Sequence, residues 1–302
     1  MDIKIVGGIT LLCLIWGYLW VIIKLSLQTF PPFLFSSLRL LFGALALLLL
    51  QALLRKSILP KHGEWGKLTI ASLLLCIGFY GGSTFGMQYV GSGISAVLVY
   101  TMPIMIGILA HYFLNEKLTF NKTIGLLMGT IGLVFILWPE LKQFKFNQTL
   151  FGELLLIIAA LSWAGSTVYI KKYLASYDKI KLTLWQMLIG GVILFVVALV
   201  TEPVTQVHWN TPINIFYVFY SAVLGTGVAF AVWNWIISKI DASVASISIM
   251  SVPLLGLLFG HLQLGEALHQ NILFGAIFIC IGILFSSMKV NMKIGVKSRK
   301  SI

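Results

Sequence analysis

A few side chains able to do chemistry stand inside long apolar runs of this 302-residue chain. Arg39 lies about eight residues into one run, roughly 10 Å from its start at the rise of a helix. A guanidinium at that depth can fork onto a carboxylate. It can equally reach the surface along its own stem or tie to backbone carbonyls. Gln186, at the corresponding place later in the chain, speaks for the structural role. Trp16 and Trp20 share a helical face with Cys13, Gly17 and Lys24; Tyr80 and Thr84 share one with Gln88. Ser166 falls on a stripe with Ser162 and Tyr169 beside Trp163, and Asn234 stands next to Trp233 and one turn from Phe230. Aromatic walls with a few polar groups suit a cavity that orients a small solute. The alternative for each Ser or Thr is ordinary packing, with the hydroxyl bonded to a helix backbone.

Other residues point to gating or coupling. His111 and His261 titrate near neutral pH, so proton coupling is one reading and interfacial hydrogen bonding near helix ends the other. Glu116 and Glu266 follow at the same helix ends and suit a gate or a cap on the next helix. Pro103 and Pro253 fall mid-run, where each frees a carbonyl and permits a kink or hinge. No His/Cys cluster at ligand spacing appears, so no metal is expected. A phosphate loop, HExxH, GxSxG and a Ser/His/Asp pattern are all absent, so neither ATP drive, a cofactor nor an enzyme is expected.

The elements holding these residues must lie in a bilayer. Apolar residues make up 59% of the chain and charged ones only 10%, too few to cover a soluble fold. Ten runs are long enough to cross: 4–26, 32–54, 66–88, 93–114, 122–139, 150–173, 181–201, 213–237, 243–263 and 270–289. They show no polar/apolar alternation, so they are helices and not barrel strands. The first run is too long for a signal peptide and is expected to be retained. With the N-terminus inside, the inner segments carry 17 Lys and Arg and the outer ones 3, namely Lys24, Lys142 and Lys145. That asymmetry places both termini in the cytoplasm and explains the net charge of +12 without nucleic acid as a partner. Cys13, Cys76 and Cys280 all sit in apolar runs, which argues against a disulfide framework.

The chain also repeats itself. Trp16 matches Trp163 and Lys24 matches Lys171 at a shift of 147. Pro103, His111, Glu116, Gly125 and Gly132 match Pro253, His261, Glu266, Gly275 and Gly282 at a shift of 150. By that second shift Tyr80 pairs with Phe230 and Thr84 with Asn234. Five spans per copy is odd, so the copies enter the membrane from opposite sides. The expected fold is all-α and integral to the membrane, ten transmembrane helices as two inverted five-helix repeats at 1–147 and 148–289. A basic cytoplasmic tail, 290–302, would touch anionic lipid. Inverted halves around a central site are a signature of secondary transporters. Glycines four apart, such as Gly125 and Gly129, or Gly78, Gly82 and Gly86, suit close helix contact; a homodimer through span five or ten is the other use.

Several of these features together resemble the EamA family of the drug/metabolite transporter superfamily. They are Trp16-Gly17 with Lys24, Leu38-Arg39-Leu40, the VGSGISAVLVYTMP run ending at Pro103, and LNEKLT and LGEALH around Glu116 and Glu266. The resemblance covers nearly the whole chain. It implies ten helices, cytoplasmic termini, a cavity lined by the first four helices of each repeat, and export of small metabolites such as amino acids without ATP. Trp163-Ala164 in place of Trp-Gly and Gln186 in place of Arg39 depart from the pattern. Small multidrug-resistance relatives carry a membrane Glu in their first helix; TLLCLIWG here has none, which disfavours cationic-drug antiport. The expectation is a plasma-membrane carrier of a small-molecule solute working by alternating access. A channel-like facilitator or a membrane sensor is the alternative.

Overall fold

The structure is a computed structural model that describes residues 3–55, 57–115, 120–143, 147–207, 211–229, 232, 233, 236, 249 and 251–287. Glu116, Phe230, Asn234 and the tail 290–302 lie outside the described residues. Among the described residues every regular element is helical. The helices are α1 (Ile3–Ser26), α2 (Pro32–Leu53), α3 (Trp65–Gly86), α4 (Ser92–Leu114), α5 (Phe120–Gln143), α6 (Gln148–Tyr173), α7 (Lys179–Thr201), α8 (Pro212–Val228), α9 (Ser251–Leu264) and α10 (Gln270–Ser287). Six of them, α1 to α4, α6 and α7, are long and apolar enough to cross a bilayer; α5, α8, α9 and α10 hold shorter apolar stretches. Leu49, Phe135, Ile158, Val196 and Phe274 face outward and exposed, a surface that only lipid would cover.

Local chemistry explains where these helices start, stop and bend. Pro32 supplies the fixed φ suited to the first turn of α2. Asn115 and Gly265 adopt left-handed backbone just past the ends of α4 and α9. Within α4 the helix is interrupted at Tyr100 and Thr101, because Pro103 has no N–H to give to the carbonyl of Val99.

Two stretches wind as π-helix, Leu73–Gly81 in α3 and Tyr220–Val228 in α8. They are equal in length, and their starts lie 147 residues apart. By that offset Tyr80 aligns with Gly227, not with Phe230 as the later shift of 150 suggests.

The main packing pairs are α1 with α8 and α9, α2 with α7 and α8, α3 with α6 and α7, α4 with α6 and α9, and α5 with α10. Exchanging each of α1 to α5 with the helix five labels later returns the same set of pairs. The glycine faces are used inside the chain. A Cβ on Gly282 would lie 2.7 Å from the Gly125 carbonyl oxygen, and one on Gly275 would lie 2.8 Å from that of Gly132. The α5 and α10 backbones therefore touch. Gly86 packs likewise on Gly152, joining α3 to α6.

Candidate functional site

Where α1, α2, α3, α4, α6 and α8 converge, a cavity of about 50 Å³ is lined by Trp16, Leu19, Trp20, Ile23, Arg39, Phe79, Tyr80, Ser83, Tyr100, Trp163 and Gly225. Five residues picked out from sequence, Trp16, Trp20, Arg39, Tyr80 and Trp163, therefore share one wall. The volume holds a few waters and is small beside the ~300 Å³ of a modest ligand site. A solute of metabolite size needs the walls to part.

The aromatic rings are anchored. Trp16 Nε1 donates to the Gly225 carbonyl at 3.1 Å, in the π-wound part of α8. The Trp163 ring lies 4.3 Å from that of Phe79, and Phe79 meets Tyr80 edge-on at 5.0 Å. The guanidinium of Arg39 sits 4.7 Å from the centre of the Tyr80 ring, a cation–π arrangement. Arg39 is only 7% exposed, and its Nε has no hydrogen-bond partner. The break in α4 puts Tyr100 against the same space.

Ser166 and Thr84 are buried but do not line the cavity. Ser166 Oγ donates to the Ala71 carbonyl and packs α6 on α3. Phe79, Tyr80 and Ser83 share the wall at i, i+1 and i+4, itself an ordinary helical face, and Thr84 falls on the other side of Tyr80. Gln186 is spent on packing as well. Its Nε2 donates to the Ala71 carbonyl at 3.1 Å, and its backbone carbonyl accepts from Ser72 Oγ at 2.7 Å.

The gating candidates are spread out. Pro103 marks the α4 interruption, and Pro253 is buried in the first turn of α9. His111 lies in the last turn of α4 beside Tyr112, and His261 is exposed with Nδ1 2.9 Å from the backbone carbonyl of Glu266. Neither histidine lines the cavity.

Glu266 does cap a helix, but not the one that follows it. Its carboxylate accepts from Ser92 N at 2.5 Å and Gly93 N at 2.9 Å, closing the first turn of α4. Glu202, which sequence reasoning passed over, does the same for α2, accepting from Phe33 N and Leu34 N at 2.8 Å each. Partial burial pushes the Glu202 carboxyl above its ordinary value, and the two amides pull it part of the way back. Lys24 complements them, its Nζ donating to the carbonyls of Met87 and of Val90 where α3 ends. Anions meet helix N-termini and a cation meets a C-terminus, each favourable to the helix dipole. Three charged side chains thus tie neighbouring helices together at one end of the bundle.

Comparison with known proteins places this architecture. The EamA-like transporter family matches residues 4–138 and 150–288. An uncharacterized transporter of Bacillus subtilis (strain 168), YoaV, is 40% identical over 94% of this chain and 97% of its own. A second from the same organism, YvbV, is 30% identical over 92% and 90%. A WAT1-related chloroplastic protein of Arabidopsis thaliana is 26% identical over 89% of this chain and 66% of its own. One crystal structure, 18% identical, superposes with a TM-score of 0.67 over 94% of this chain and 96% of that one, a likeness of fold. This multi-pass helical membrane protein belongs to the EamA-like transporter family.

Proposed function

We propose that the protein is a secondary transporter that carries a small metabolite through the central cavity by alternating access, with export across the plasma membrane as the net direction. The observation that carries this reading is the cavity itself, walled by rings from α1, α3, α4 and α6 and closed by α8, so that helices from both halves of the chain surround it. The packing pairs that map onto one another five helices apart, and the two π stretches 147 residues apart, support two equivalent halves able to rock around that site. The interrupted α4 supports it too, since broken helices beside a binding site are a recurrent transporter device.

Trp16, Trp20, Tyr80 and Trp163 are the solute-contacting walls in this reading. The basic-residue count assigns the end with Lys24, Glu202 and Glu266 to the outside, so these three form a closed outer gate. Counterflow in proteoliposomes tests the mechanism, after comparison of metabolites inside and outside cells has named a solute. A carrier shows trans-stimulation by unlabelled solute. A flux with no trans-stimulation defeats alternating access in favour of a facilitator. Solute rising in the cytoplasm on overproduction defeats export.

A further inference from the structure

Arg39 is a buried cation for which the fold supplies no anion among the described residues. Its described interactions reduce to the face of Tyr80 at 4.7 Å; its Nε is buried without a hydrogen bond. A structural arginine or lysine in a membrane bundle ties itself to backbone carbonyls, as Lys24 does at Met87 and Val90. Gln186, 147 residues on, shows the structural solution at the matching place: a neutral side chain with its amide bonded to Ala71. Arg39 has neither device. Leaving a charge 93% buried without a counter-ion is costly, and a charge kept in a cavity wall suits a ligand that completes the pair.

We propose that the cavity takes a small organic anion, a carboxylate on an apolar or aromatic body, and that Arg39 is the residue that recognises its charge. The inference rests on the transporter reading for the parting of the walls and for what happens to the solute afterwards; the choice of ligand rests on the cavity lining. One guanidinium matches one negative charge. Most of the remaining wall is ring and aliphatic surface, from Trp16, Trp20, Phe79, Tyr100 and Trp163 above all, with Ser83 the polar exception, and it suits an apolar body. Among the described lining residues no acidic side chain stands to receive an ammonium group, so this wall favours a net anion over a zwitterion.

The test is thermal unfolding of the purified full chain in detergent. The probes are phenylacetate, benzoate and isovalerate, each beside its neutral amide, with phenylalanine as the zwitterion. A ligand that binds the folded state raises the midpoint with its concentration. At least one acid should half-saturate at a concentration at least tenfold below its amide and below phenylalanine. Arg39→Gln should erase that difference. Arg39→Lys, a point charge without the fork, should keep part of it. The proposal is overturned if no acid shifts the midpoint, if an amide or phenylalanine matches the acid, or if R39Q responds like the parent. Should R39Q fail to fold, R39K decides: an unchanged half-saturation for the acid overturns it. Counterflow of a neutral solute would leave transport standing while this inference falls. Acid binding with no counterflow of that acid would do the reverse.

Discussion

Replacing Glu266 by Gln tests whether the charged end of the bundle works as a gate. The carboxylate offers two oxygens to two amides, Ser92 N and Gly93 N. Glutamine offers one oxygen and turns an NH2 toward the other amide. One hydrogen bond to a charged group goes, worth about 1.5–3 kcal/mol when buried and less at this half-buried position. The charge at the N-terminus of α4 also goes, worth about 0.3–1 kcal/mol. A net loss of about 2 kcal/mol shifts a closed-to-open equilibrium roughly 30-fold. Ser83 lines the cavity and is 5% exposed, so Ser83→Cys reports access once the three native cysteines are replaced. Intact cells treated with a membrane-impermeant maleimide should label this cysteine at least tenfold faster in E266Q. Glu64→Gln, on the loop before α3, should change nothing. A labelling rate in E266Q within twofold of the parent, at equal abundance, refutes the gate.

Trp163→Ala should cut counterflow roughly tenfold or more at equal membrane abundance, a barrier change of about 1.4 kcal/mol, while Trp163→Phe keeps most of it; unchanged flux in W163A removes Trp163 from the site. Gln186→Leu should lower the thermal midpoint through the loss of about 1–2 kcal/mol of buried hydrogen bonding, and leave ligand response intact. Gly275→Leu would force a Cβ to within 2.8 Å of the Gly132 oxygen, so it should destabilise by about 1–3 kcal/mol or more. Gly165→Ala, whose Cβ meets nothing nearer than Leu74 at 4.0 Å, should be neutral in the same melt. Burial holds the Glu202 carboxyl above its ordinary value, so the folded chain binds that proton more tightly than the unfolded chain. Its contribution is fully present below about pH 4.3 and is lost as pH rises through the folded pKa. The midpoint of E202Q minus that of the parent should therefore grow from pH 4 to pH 7, and a flat difference refutes the assignment.

Much of this was legible in the chain. Apolar length alone located α1 to α4, α6 and α7 to within two residues at their described ends, because a bilayer leaves a helix little choice. Trp16, Trp20, Arg39, Tyr80 and Trp163 stood out because large aromatics and a lone guanidinium need a reason to be deep in apolar runs. Ser83 and Phe79 did not, since 3.6-residue spacing allows two faces through Tyr80, one with Thr84 and one with Phe79 and Ser83, and the sequence does not say which turns inward. Ser166 was open to two readings, solute contact or packing, because a hydroxyl looks the same in either role; in the structure it bonds the Ala71 carbonyl. Glu266 read as a cap, but its partner lies 174 residues upstream, and no local pattern encodes such a pairing. Glu202 carried no signal beyond a single carboxylate at a helix end.

The wide-turned stretches of α3 and α8 give those helices a second degree of freedom. Residues before and after such a stretch are out of step with an ideal helix, so the place where the extra residue is absorbed sets which side chains face inward. If that place slides by one residue, the intervening rungs rotate by about 100° while the ends stay where they are. The stretch of α3 ends at Gly81, next to Tyr80, and that of α8 carries Gly225, the acceptor for Trp16. Sliding either one would turn the rungs nearest the cavity, Phe79 and Tyr80 in α3 or Gly225 in α8, with the helix ends anchored.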